Sequence, residues 1–150
     1  MTIDIRPIRP SDVPHLVDMA TRNPPLDVHT AYTYWVMATV GADLSCVAER
    51  AGKPLGYVTV LPGRQAGTAF LWQVCVDRSA RGEGLGRRLL GNAVDRMRAR
   101  DIRRFSVTIA GENGASMGLF RSVFDESLRE IGVVELEHGV ASEDVYGVDL

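Results

Sequence analysis

Cysteine, lysine and long apolar runs are all scarce in this 150-residue chain. The only cysteines are Cys46 and Cys75, each inside an expected strand. There is no C-x-x-C pair and no Cys/His cluster with ligand spacing, so no metal site is expected. Both thiols are expected to be free and buried, because a small thiol packs like an apolar side chain. No run of about 18 apolar residues occurs, which argues against a membrane-spanning helix. The opening MTIDIRPIRP lacks the apolar core of a secretory signal, so a cytoplasmic location is expected. The net charge is −2 and the chain has no basic block, which speaks against nucleic acid as a partner. Lys53 is the only lysine, and a bias of the coding sequence explains that more simply than function does.

What remains is an ordinary globular composition, long enough for one domain over residues 1–150 with its own core. Ile3, Ile5 and Ile8 suggest a first strand. Ser11 is a possible cap for a helix whose apolar face is Val13, Leu16, Val17 and Ala20, with Pro14 in the tolerant first turn. Asn23-Pro24-Pro25 stops it. A second helix lies within residues 26–40, capped by Asp27 or Thr30, with Tyr32, Trp35, Val36 and Thr39 on one face. Asp27, His29, Tyr32 and Tyr34 put polar tips near its start. Residues 45–61 read as a hairpin turning at Ala51–Pro54, and Phe70–Val76 as a fourth strand. After the third helix, Phe105, Val107 and Ile109 alternate as a half-buried strand. Gly111–Gly114 turns into a fourth helix with Met117, Phe120, Val123 and Phe124 inward. Val133–Leu136 and Val145–Leu150 close the chain as a strand pair. The order is β-α-α-β-β-β-α-β-α-β-β, a mixed α/β fold.

The most informative stretch is FLWQVCVDRSARGEGLGRRLL, residues 70–90. A strand runs through a polar turn into Gly82, Gly84 and Gly86, then into a helix carrying Leu85, Leu89, Leu90, Ala93 and Met97 at helical spacing. Glycines allow close approach of a ligand, and the helix start offers free N–H groups at the positive end of a dipole. Such a place suits a phosphate or pyrophosphate. Arg81 and Arg87 add charge there. The spacing fits neither a dinucleotide fingerprint nor a Walker A loop.

Arg81-x-x-Gly84-x-Gly86 after the strand WQVCVD resembles the acetyl-CoA signature [RQ]-x-x-G-x-[GA] of the GNAT N-acetyltransferases. The order of elements along nearly the whole chain is also similar to that fold. The resemblance implies a single-domain acyl-CoA N-acyltransferase, with a mixed, mostly antiparallel sheet and about four helices. It implies acetyl-CoA as co-substrate. The N–H groups of Gly82, Gly84, Leu85, Gly86 and Arg87 would hold the pyrophosphate, with Arg81 beside them. The backbone of Val74 and Val76 would pair with pantetheine as an added strand, and Asn113 would contact the same arm. Strands four and five would splay to admit the thioester.

A narrower resemblance exists to the diaminobutyrate acetyltransferases of ectoine biosynthesis. It is carried by LDVHTAYTY (26–34), FLWQVCVD (70–77), ARGEGLGRRLL (80–90) and N-x-A-S-x-x-LF (113–120). By that resemblance Asp27, Tyr32 and Trp72 line the acceptor site, and Asp27 pairs with a substrate ammonium. His29-Thr30 stands where that group has Asn-Ser, and SVTIAGEN (106–113) replaces ETTITPSN. The expected acceptor is therefore 2,4-diaminobutyrate or a related small amine. A non-catalytic acyl-CoA sensor and a protein N-acetyltransferase stand as alternatives, and a homodimer is common among GNAT proteins.

The chemistry sets further demands. A free amine has a pKa of about 10, so only about one molecule in 10³ is neutral at pH 7. Asp27, His29, Tyr32 and Tyr34 are the acid–base candidates, His29 because imidazole titrates near neutrality. The N–H of Val74 is the candidate oxyanion donor. Many GNAT enzymes carry a tyrosine acid seven residues after the motif Asn; here Phe120 stands there and has no proton to give. Glu112 reads as a solvated turn residue, and His15 and His138 have no supporting constellation.

Overall fold

A computed structural model describes residues 2–111, 113–137 and 141–150. Glu112 and His138 lie outside the described residues. The elements are β1 (Asp4–Pro7), α1 (Val13–Arg22), α2 (Ala31–Thr39), β2 (Cys46–Arg50), β3 (Lys53–Pro62), β4 (Thr68–Val76), α3 (Leu85–Ala99), β5 (Arg104–Ile109), α4 (Gly114–Phe124), β6 (Arg129–Glu137) and β7 (Ala141–Asp149). The strands form one sheet in the order β1-β2-β3-β4-β5-β7-β6. β4 and β5 are parallel, and the other neighbours are antiparallel. The expected element order and mostly antiparallel sheet are both present.

Some boundaries differ from the sequence reading. β6 and β7 begin before the apolar runs that marked them, because edge pairing carries polar residues such as Glu130 and Asp144 into the ladder. Ser11 does not cap α1. A short 3₁₀ turn over Pro10–Asp12 intervenes. There the Asp12 carboxylate accepts the Arg9 N–H at 2.8 Å and the Arg6 guanidinium at 2.7 and 2.9 Å. Thr30, not Asp27, caps α2, its hydroxyl accepting the Thr33 N–H at 3.2 Å. The inward face of α2 is Tyr34, Met37 and Ala38, while Tyr32 and Trp35 stack on its outer side.

The sheet separates two apolar layers. α1 and α2 cover one face through Leu16, Met19, Ala20 and Tyr34, packed on Val47, Tyr57 and Cys75. α3 covers the other through Leu85, Leu89, Leu90, Ala93 and Met97, packed on Cys46, Val58 and Val60. Burying each large aliphatic side chain of α3 contributes about 1.5–3 kcal/mol, so this helix is rigidly held. That rigidity fixes the glycine loop at its start.

One irregularity shapes the site. On β3, Thr59 and Val60 are adjacent, yet they face Gln73 and Leu71 on β4. Trp72 is therefore an extra residue, a β-bulge, and it reverses the alternation beyond it. Leu71 faces the α3 layer, whereas Cys75 faces the α1–α2 layer. β4 pairs with β5 only over Thr68–Leu71 against Arg104–Val107. Past Leu71 the two strands part, as expected.

Candidate active site

The gap between β4 and β5 opens into a cavity of about 780 Å³. Its walls include Pro25, Leu26, Asp27 and His29 from the loop before α2, and Phe70–Val74 from β4. β5 contributes Val107–Ile109, α4 and its approach contribute Ala110, Asn113, Ser116 and Phe120, and β6–β7 contribute Val134, Ser142 and Glu143.

The backbone beside the gap points the right way. Asp77 N–H donates to the Leu55 carbonyl at 2.8 Å, which marks a hydrogen-bonded pair at the end of the β3–β4 ladder. Antiparallel ladders alternate, so Val74 and Val76, opposite Val58 and Gly56, turn their own N–H and C=O away from β3. Both therefore face the parted side. The Arg81 guanidinium approaches the Val76 carbonyl at 3.4 Å, which partly occupies one of these groups.

Beyond β4 lies the glycine loop. Gly82 and Gly84 have φ of +82° and +74°, a left-handed backbone that other residues adopt with strain. A Cβ at either would meet nothing within 4 Å, so the concave side of the loop is open. The first α3 amide bonded back to the loop is that of Arg88, to the Gly84 carbonyl at 3.2 Å. The amides of Leu85, Gly86 and Arg87 precede it in the first turn, where a helix supplies no partner. These features fit a pyrophosphate. Gly86 has a different reason to be glycine: a Cβ there would come within 3.0 Å of Leu119 on α4. Arg87 reaches the Ser122 carbonyl at 3.2 Å.

A buried polar node sets the loop's entry. Asn23, 2% exposed, donates to the Met19 carbonyl at 2.7 Å and to Asp77 at 3.0 Å. Its oxygen accepts the Arg78 N–H at 3.0 Å and the Arg81 guanidinium at 3.3 Å. Asp77 also accepts from Arg22 at 2.6 Å and Ser79 at 2.5 Å. Burial alone would raise the Asp77 carboxyl; the bonds from Asn23, Ser79 and Arg22 outweigh it and hold it at about 2, against 3.8.

At the wall formed by the loop before α2, the Trp72 indole N–H donates to His29 Nε2 at 3.1 Å. An indole nitrogen only donates, so that ring nitrogen accepts and the imidazole proton sits on Nδ1. The lone pair expected to serve as base is engaged. Asp27 is exposed at the cavity wall, and Glu143 from β7 is a second carboxylate there. Tyr32 is 73% exposed, stacked on Trp35, and outside the cavity wall. The structure does not bring it to the cavity that Asp27, His29 and Trp72 line. Tyr34 is buried, its hydroxyl donating to Gln73 Oε1 at 3.0 Å. His15 is exposed on α1, away from the cavity. Asn113 caps α4, its oxygen accepting the Ser116 N–H at 3.2 Å, which leaves its amide donors for a ligand. Phe120 is 1% exposed and stacks on Phe124.

The model of the Acetyltransferase (GNAT) family matches residues 13–124. The chain belongs to the GNAT acetyltransferase family. Among characterised GNAT proteins it is similar to the L-2,4-diaminobutyric acid acetyltransferase of Chromohalobacter salexigens, 38% identical over 126 residues, covering 83% of this chain and 66% of the relative. The enzyme of the same name from Halomonas elongata is 37% identical over 123 residues, covering 81% of this chain and 64% of the relative. The matched part thus spans just under two thirds of those relatives' length. The fold is shared with the diaminobutyrate acetyltransferase EctA of Paenibacillus lautus, solved with L-2,4-diaminobutyric acid and coenzyme A, at a TM-score of 0.86 and 22% identity over 99% of this chain and 95% of that one.

Sequence reasoning missed Gln73, Tyr57, Asn23 and Glu143 in this GNAT site. A single glutamine inside an otherwise apolar strand was the signal for Gln73. Asn23 looked like a helix stop, and Glu143 lies in a segment that shows no strand pattern.

Proposed function

We propose that this GNAT protein is an acetyl-CoA-dependent N-acetyltransferase acting on a primary amine of a small diamino acid, of the 2,4-diaminobutyrate class. The observation that carries the reading is the juxtaposition of an open glycine loop with a bulged strand whose far side lines a cavity walled by Asp27, Glu143, His29 and Trp72. Gly82–Arg87 and the backbone of Val74 and Val76 would hold the co-substrate, with Arg81 and Asn113 beside them and Phe120 as an apolar wall. When bound, acetyl-CoA supplies an activated acetyl thioester.

The residues divide the remaining work. The reacting amine must be neutral, and reaching that form at pH 7 costs about 4 kcal/mol. A carboxylate next to an ammonium favours the charged form. Asp27 therefore suits the amine that does not react, holding it protonated while the other reaches the gap. That division favours an acceptor with two amines. His29 accepts the reacting proton only by giving up the Trp72 indole, so a water that passes the proton out to solvent is the simpler relay. Val74 N–H, which faces away from β3, would serve as the donor for charge developing on an acyl oxygen. The co-product thiolate, with a pKa near about 8.5, leaves without a tyrosine acid, consistent with Phe120 at that position.

We place the protein in the cytoplasm as one domain, acting on small molecules rather than nucleic acid; no helix among the described residues is long and apolar enough to cross a membrane. A homodimer through the exposed Tyr32–Trp35 face of α2 fits the same reading. The test is free-thiol release from acetyl-CoA across diamino acids, polyamines and amino sugars. Release with diamino acids is expected; background release with every amine contradicts the reading.

A further inference from the structure

Trp72 and Gln73 are neighbours at the β4 bulge, and each ties down the loop that carries Asp27 and His29. Trp72 does so through the His29 ring. Gln73 does so through the backbone: its Nε2 donates to the Asp27 carbonyl at 2.7 Å. A carbonyl only accepts, so the orientation of the Gln73 amide is fixed, nitrogen toward the loop and oxygen toward the interior. There Oε1 accepts the Tyr34 hydroxyl at 3.0 Å and the Tyr57 hydroxyl at 2.5 Å. Gln73, Tyr34 and Tyr57 are all buried, so none of these groups has bulk water as an alternative partner.

We propose that Gln73 is a positioning residue for the acceptor half of the site, and that Tyr34 and Tyr57 lock its amide for that purpose. This rests on the acetyl-transfer reading of the cavity. The strand that turns Val74 N–H into the gap also sets the place of Asp27, through the very next residue after the bulge. Donor backbone and acceptor loop thus share one rigid element, which is how a site keeps both partners in register. The Tyr34 and Tyr57 rings meet edge-on, and both hydroxyls donate to the same Gln73 oxygen.

Two variants test this. Gln73→Met keeps the length and removes the amide. Gln73→Glu keeps the oxygen for the tyrosines but sets a second oxygen against the Asp27 carbonyl. Ionised, that carboxyl opposes acceptor to acceptor; protonated, its O–H donates to the Asp27 carbonyl and the network closes. In Gln73→Met, backbone hydrogen exchange over residues 26–30 should quicken while that over 82–88 stays unchanged. The acceptor KM should rise about tenfold, with the acetyl-CoA KM within about twofold. For Gln73→Glu, the ratio of its kcat/KM to that of the unmodified protein should climb as pH is lowered from about 9 to about 6, because burial favours the neutral acid. Asp27 and His29 on the loop, Tyr34 on α2, Tyr57 on β3 and Cys75 on β4 face this position in both proteins, so the ratio isolates the new carboxyl. Unchanged exchange over 26–30, an equal rise in both KM values, or a flat ratio would overturn the proposal. Absence of thiol release by the unmodified protein would instead defeat the acetyl-transfer reading, and the exchange measurement would still decide the role of Gln73.

Discussion

Single side chains set the character of this cavity. Asp27 stands at the cavity wall while its carbonyl is held by Gln73, so its carboxylate is presented from a fixed backbone. Asp27→Ala should raise the acceptor KM about tenfold, the loss of one charge-assisted contact, and leave the acetyl-CoA KM unchanged. Steady-state kinetics with each substrate varied in turn checks this; an unchanged acceptor KM removes Asp27 from the site. The cysteines bear on the same assay. Burial pushes the Cys46 thiol up to about 11 and the Cys75 thiol up to about 12. Both should stay unreactive toward an aromatic disulfide reagent in the native protein and react only after unfolding, so thiol release reports the reaction alone. A native-state titre above background would contradict their burial. Their status as free, buried thiols was legible from composition. The exposure of Tyr32 was not, because a face of period 3.6 says which residues lie together and not which side meets the sheet.

At the scale of elements, the turn from β4 into α3 is held by Asp77. Its carboxyl lies below its ordinary value, so the stabilisation it gives is present above about 3.8 and is lost as pH falls toward about 2. By linkage this is worth about 2 kcal/mol. Asp77→Asn should lower stability by that order at neutral pH and flatten its fall across the same acid window. Denaturant unfolding at a series of pH values measures both, and an acid limb as steep as that of the unmodified protein would show that another group governs it. The strand, glycine loop and helix were all legible here, since apolar periodicity and glycine spacing are local signals. The bulge at Trp72 was not. FLWQVCV is apolar on both faces apart from Gln73, so alternation cannot reveal an extra residue, and only the register against β3 shows it. The last two strands, β6 and β7, were also only half legible, because polar residues such as Glu130 and Asp144 extend their ladder and their pairing is settled by distant neighbours.

At the scale of the molecule, the strand, turn and glycine loop over residues 70–90 are contiguous, whereas the cavity is walled by segments far apart in the chain. This is why the glycine loop is legible in the sequence more sharply than the cavity lining. Resemblance supplied Asp27 and Trp72, and both line the cavity. The contribution of Glu143 depends on the sheet order that places β7 beside β5. Two carboxylates, Asp27 and Glu143, line one cavity, and the proposed acceptor keeps one ammonium while its other amine reacts. The most direct test compares kcat/KM for 2,4-diaminobutyrate with that for 2-aminobutyrate, which lacks the second amine, by thiol release from acetyl-CoA. The account predicts a preference for the diamine on the order of tenfold or more. Equal values for the two acceptors, or no release above background with either, would contradict it.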